Sequence, residues 1–363
     1  MAAVVAGPRT SARSGSPTTG WAAILRLQLR LDRIKSPVWV VAIVALVIVS
    51  AASINGLYPD AASIQGYARL VQDNAAVVIQ AGPGYGLATD PTRGAVLMNE
   101  TSLWTIILAG LMSILLVTRH TRAEEESERA ELLRSTPVGR HAAGVATMAN
   151  ALVVNVAVAA GLVIGLVASG YALTGSVAFA LAVATSGLLF AAITLVGAQV
   201  AATGRAATGI NLTVLAASFL LRAVGDVTGN GLSWLSPIGI GQGVRAFAQE
   251  RWWAPALSVL LAIGFTWLAS FLATRRDFGA GMLTERAGRS EATRWLTGPL
   301  PSRCASRGVP WRDGYPGSCS SGPSTGRWRA RPNRWSRTTR TSLTSSSRPR
   351  AVPSPRRFCP PRR

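Results

Sequence analysis

Val38-Trp-Val-Val-Ala-Ile-Val-Ala-Leu-Val-Ile-Val-Ser-Ala-Ala-Ser-Ile54 is an apolar run, and no charged residue stands between Lys35 and Asp60. With Asn55, Gly56 and Leu57 it reaches the roughly 20 residues that an α-helix needs to cross the hydrocarbon core of a bilayer. Lipid offers the backbone no hydrogen-bonding partner, so a run of this kind must satisfy its own amides as a helix. Five further runs follow, which gives spans at about 38–57, 102–118, 145–168, 177–202, 206–224 and 254–273. The predicted fold is therefore all-α, a polytopic membrane protein with six transmembrane helices in a domain of residues 37–290.

Composition agrees. Of 363 residues, 49% are hydrophobic and 15% charged, with a mean hydropathy of +0.30. Soluble domains average about 25% charged residues. The formal charge of +21 is unevenly placed, because residues 295–363 hold 15 arginines and a single acid, Asp313. The high pI therefore belongs mainly to the tail and is no reason to expect a nucleic-acid partner. Lys35 is the one lysine, and it lies in Ile-Lys-Ser-Pro. A P-loop needs Gly-Lys-Ser/Thr to neutralise the β/γ phosphates, so this chain carries no such ATPase site. Two histidines, and no cysteine before Cys304, cannot assemble a structural zinc site of about four ligands. No catalytic, cofactor or metal site is expected.

Residues 1–20 are small and polar and read as disordered. In residues 21–36, Arg26, Arg30 and Arg33 fall on one face of a helix among Ile24, Leu25, Leu27, Leu29 and Leu31. That pattern predicts an amphipathic helix lying in the interface of an anionic membrane. Orientation follows from the cations in short loops. Six precede Pro37, five lie from Arg119 to Arg140, and Arg205, Arg275 and Arg276 fall on the same side. The other side has Arg69, Arg93, Arg245 and Arg251. Both termini are therefore expected in the cytoplasm, with the chain in the plasma membrane. The outer segment 55–101 is too long for a simple turn, and Gly82-Pro-Gly-Tyr-Gly86 marks a turn within it. A short helix is expected to re-enter near residues 235–240.

The densest chemistry lies between the second and third spans. Arg119, His120, Arg122, Glu124, Glu125, Glu126, Glu128, Arg129, Glu131 and Arg134 fall within one helix-length, mixed-charge segment that ends at Pro137-Val-Gly139. Glu125 and Arg129 are spaced for an i,i+4 pair. The plain interpretation is a solvated, water-exposed helix; the functional one is a rod on which a cytoplasmic partner pushes. Glu124-Glu125-x-x-x-Arg129 also matches the pattern of intramembrane glutamate proteases. Neither His120 nor His141 lies within a predicted span, however, and Leu116 and Pro137 stand where that pattern has Phe.

The stretches Gly94-Ala-Val-Leu-Met98, Leu111-Met-Ser-Ile-Leu-Leu-Val-Thr-Arg-His-Thr-Arg-Ala-Glu-Glu-Glu126, Arg129-Ala-Glu-Leu-Leu-Arg134 and Val138-Gly-Arg-His141 resemble the permease subunits of type-2 ATP-binding-cassette exporters. The resemblance is to the actinobacterial multidrug and polyketide-antibiotic group and covers residues 20–290, including Gly82-Pro-Gly-Tyr-Gly-Leu87 and Leu29-Arg-Leu-Asp-Arg33. It implies export of a hydrophobic or antibiotic-like substrate, a separate ATPase subunit, and the segment from Arg119 to Arg134 as the coupling element. Family members have about twice as many spans, so a second permease half or a homodimer partner is implied. A membrane scaffold or immunity protein without an ATPase is the alternative.

The tail from residue 295 lacks apolar periodicity, and its Arg, Ser and Pro content cannot form a core. Trp295, Trp311, Trp328 and Trp335, with Cys304, Cys319 and Cys359, are unusual for disorder and suggest a GC-rich gene read out of frame from about 289–310. Resequencing is expected to find further spans in another frame. The topology has its own test in a chain truncated before Cys304. Cysteines placed at Thr121 and Gly279 should be shielded from an impermeant thiol reagent added outside intact cells, and one at Thr89 should label. Labelling at Thr121 overturns the orientation.

Overall fold

The computed structural model describes residues 16–72, 74–127 and 139–275. The expectations for residues 1–15, for Glu128, Arg129, Glu131 and Arg134, and for the tail lie outside these residues. All regular structure among the described residues is helical. It runs α1 (Trp21–Leu31), α2 (Lys35–Leu57), α3 (Ala61–Gln72), α4 (Ala75–Ala81), α5 (Arg93–His120), α6 (Arg122–Glu125), α7 (Ala142–Ala168), α8 (Leu173–Val200), α9 (Gly204–Thr228), a 3-10 turn (Gly231–Leu235), α10 (Pro237–Gln242) and α11 (Trp253–Arg275). Six helices are long and apolar enough to span a bilayer: α2, α5 with its continuation α6, α7, α8, α9 and α11.

The second span is longer than its apolar run. Thr92 caps α5 by accepting from the Ala95 amide at 3.2 Å, so the helix starts nine residues before Ser102. The polar residue Asn99 hides this start from hydropathy. Its amide is engaged, accepting from Tyr67 Oη at 2.9 Å and donating to the Gly82 carbonyl at 3.1 Å.

α5 and α8 form the centre. The most apolar windows of these two helices are 72% and 78% buried, against 17–33% for the other spans. The outer helices α2, α7, α9 and α11 turn large apolar side chains outward, among them Val41, Ile164, Leu220 and Trp267. In a bilayer these face lipid, which is as apolar as they are. Association between helices then relies on close contact and polar links. Gly161 and Gly165 admit Val44 and Ile48 of α2 against α7, and Gly110 of α5 admits Phe190 of α8. Asn155 Nδ2 donates to Ser113 Oγ at 3.2 Å, joining α7 to α5.

The end of the bundle opposite α1 is closed by α3, α4, the 3-10 turn and α10. Gly82, Gly84 and Gly86 all take positive φ (108°, 60° and 84°), which makes the turn that brings the chain from α4 to α5. α10 is buried along its length and capped by Ser236, whose hydroxyl accepts from the Ile238 amide at 3.2 Å. Arg222 of α9 pairs with Asp226 at 3.4 Å and donates to the Val78 and Ile79 carbonyls at the end of α4. It is fully buried and does not snorkel outward.

A Cβ added at Gly225 would overlap the Ser233 backbone nitrogen, and none of that backbone can yield cheaply. Gly225→Ala should cost about 1–3 kcal/mol, read as a lower melting temperature in detergent. Gly264→Ala meets nothing within 4 Å and should leave the melt unchanged or slightly raised.

Candidate functional site: a buried charge cluster at one end of the bundle

α1 ends at Leu31, and the turn that follows places Asp32 against the bundle rather than in water. Asp32 is only 4% exposed. α1 presents Ile24 and Gln28 to α7, and Gln28 Nε2 donates to Thr147 Oγ1 at 3.0 Å. The next inward position along the same face is Asp32. One carboxylate oxygen accepts from Arg119, and the other accepts from His120 Nε2 and, at 3.3 Å, from Asn150 Nδ2. Asp32 thus ties the α1–α2 turn to the end of α5 and to α7.

The chain then turns at Thr121 into α6, and the charged side chains in and around this short helix have specific partners. His120 Nδ1 faces Glu124 Oε1 at 2.9 Å. Both ring nitrogens therefore face carboxylates, which accept but do not donate when ionised, and the geometry suits the doubly protonated imidazole. Arg122 donates through Nε to the Ala198 carbonyl at 2.7 Å, near the C-terminus of α8, and pairs with Glu125 at 3.0 Å. A cation there complements the helix C-terminal dipole. Glu126 accepts from the backbone amide of Gly204, the first residue of α9, where a carboxylate complements the opposite dipole. Gly139 and His141 donate to the Thr19 and Pro17 carbonyls, so the start of α7 is held beside the segment leading into α1.

The cluster joins four spanning helices (α5, α7, α8 and α9) to the α1–α2 turn through charge-assisted hydrogen bonds. Such bonds are shorter and roughly twice as strong as neutral ones. The sequence expectation of a water-exposed helix fails for the first part of the segment. His120 and Arg122 are 2% and 1% exposed, because His120 lies between the Asp32 and Glu124 carboxylates and Arg122 reaches inward to a carbonyl at the end of α8. Glu125 pairs with Arg122 among the described residues. The sequence reading missed Asp32, Gln28, Asn150 and Thr147. One signal was available: Asp32 is the sole acid in residues 1–59, set in a strongly basic helix.

Burial alone would raise the Asp32 carboxyl. The His120 hydrogen bond and charge, the Arg119 charge and the Asn150 amide outweigh burial and hold it below the ordinary carboxylate value. A depressed folded-state value contributes stability above the unfolded value of about 4, and this contribution is lost as pH falls through the folded value. The protein in detergent should therefore melt at lower temperature as pH drops below about 4. Asp32→Asn should flatten that dependence. At neutral pH Asp32→Ala leaves Arg119 and the Nε2 side of His120 without their carboxylate. Breaking a buried pair costs about 3–5 kcal/mol, and since Arg119 is 35% exposed the expected loss is about 2–3 kcal/mol.

No family model matches the chain. Over 312 residues it is 39% identical to a multidrug efflux system permease protein of Mycobacterium tuberculosis. The match covers 85% of this chain and 54% of that protein, so the chain spans about half the length of the curated relative. The similarity bears out the resemblance to multidrug exporter permeases. The chain is a multi-pass membrane protein related, over most of its own length, to an efflux permease.

Proposed function

We propose that this chain is the membrane-spanning half of an ATP-driven exporter of the ATP-binding-cassette type, working with a separate ATPase subunit and a second set of spans. The curated relative is named for multidrug efflux, which favours a hydrophobic, drug-like substrate moved out of the cell. In this reading the N-terminus and the α6 end of the bundle are cytoplasmic, and the segment from Arg119 to Arg134 receives the push of the ATPase. The observation that carries the proposal is the buried cluster around α6. Through Asp32, Ala198 and Gly204 the segment is fastened to the ends of α1, α8 and α9. A force applied there reaches several spans at once, including the central α8. A ligand or partner shifts such an equilibrium only by its differential affinity for the two states. A rigid attachment of this kind makes that difference available to the bundle.

Within the segment, Glu124, Glu125 and Glu126 hold the bundle end together, and Glu128, Arg129, Glu131 and Arg134 are assigned to the partner. Reversing the charges of Glu128, Arg129, Glu131 and Arg134 should leave the amount of protein in the membrane near normal, while association with the ATPase subunit encoded alongside it is lost. If the reversed chain still co-purifies with the ATPase as well as the parent does, the coupling assignment is wrong. If the parent co-purifies with no ATPase at all, the scaffold reading is the better one.

A further inference from the structure

α1 carries a surface that the bundle leaves unused. Ile24, Gln28 and Asp32 face the helices. Arg26 and Arg30, with Arg33 in the turn that follows, form an exposed stripe at i, i+4 and i+7, and Lys35 at the start of α2 is exposed as well. A second exposed stripe runs alongside: Leu27 (42%), Leu31 (43%) and Ile34 (67%). Asp32 is the sole acid in residues 16–57, and it is already engaged by Arg119 and His120. Arg140, at the entry to α7, is exposed as well and adds to the positive surface. The carboxylates of the neighbouring α6 are taken: Glu124 by His120, Glu125 by Arg122 and Glu126 by Gly204. Arg26, Arg30, Arg33 and Lys35 thus have no carboxylate partner among the described residues.

We infer that this face binds anionic phospholipid headgroups and that the bound lipid steadies the Asp32 turn. Two features favour lipid over a protein partner. The apolar stripe Leu27–Leu31–Ile34 leads into Val38 and Val41 of α2, 61% and 65% exposed on the outer side of a spanning helix. The cationic stripe lies beside the apolar one, so acyl chains meet one row while phosphates meet the next, the arrangement of a helix lying in the membrane interface. Arg33 is the residue after Asp32, so a headgroup held by Arg33 restrains the backbone that carries the buried carboxylate.

The test uses the full chain purified in a mild detergent, with phosphatidylglycerol or phosphatidylcholine added. Phosphatidylglycerol should be retained in preference to phosphatidylcholine and should raise the melting temperature more. The triple variant Arg26→Gln/Arg30→Gln/Arg33→Gln should bind phosphatidylglycerol more weakly by about tenfold or more and lose the extra stabilisation. The variant with Lys at all three positions, which keeps the charges, should retain both. Equal retention by the Gln variant and the parent would overturn the inference. So would loss of retention in the Lys variant, or equal stabilisation by inorganic phosphate, which lacks acyl chains. If the Gln variant holds phosphatidylglycerol normally but no longer co-purifies with an ATPase subunit, the face belongs to a protein and the inference fails.

Discussion

A single carboxylate, Asp32, stands where three parts of the chain meet, and the end of the bundle is arranged around keeping its charge paired. An ionised carboxylate removed from water costs several kcal/mol unless cations and donors replace the lost hydration. Arg119, His120 and Asn150 do so here. Because these partners come from α5 and α7 while Asp32 comes from the turn after α1, the electrostatic requirement acts as a mechanical fastening. The same logic extends outward. His120 requires Glu124, buried Arg122 requires Glu125 and the α8 carbonyl, and Glu126 settles on the start of α9. Removing one member leaves a neighbour uncompensated, so the cluster holds or yields as a unit.

The rest of the bundle is built on different physics. Between the ends, small residues let helices approach closely, as Gly110 of α5 admits Phe190 of α8, and Asn155 of α7 reaches Ser113 of α5, since apolar surface gains nothing by leaving lipid for protein. At the far end Arg222 repeats the device of the near end on a smaller scale, pairing with Asp226 and closing the carbonyls of α4. The bundle thus has charged fastenings at both ends and close packing between them.

The six spans were legible because hydropathy measures what decides whether a helix enters lipid. Their limits were less so. The start of α5 was hidden by Asn99 and Glu100, which look like loop residues until Asn99 is seen bonded to Tyr67 and Gly82. The candidate site was half legible. Local charge density picked out residues from Arg119 to Glu126, but spacing along one segment predicts pairs within it, such as Glu125 with Arg129. The contacts that govern the structure are long-range, 87 residues between Asp32 and Arg119 and 76 between Arg122 and Ala198. Sequence spacing carries no information about such partners. The clue was compositional, an isolated acid in a basic helix and a histidine beside the membrane.

The most direct test is a double-mutant cycle on the unfolding free energy in detergent at neutral pH, pairing Asp32→Ala with His120→Ala. If the fastening is real, the two changes are strongly non-additive. The double variant should lose little more than either single one, with a coupling of about 1.5–3 kcal/mol. Additive losses, with a coupling below about 0.5 kcal/mol, would mean that the two side chains act independently and that the buried cluster does not hold α1 to the spans.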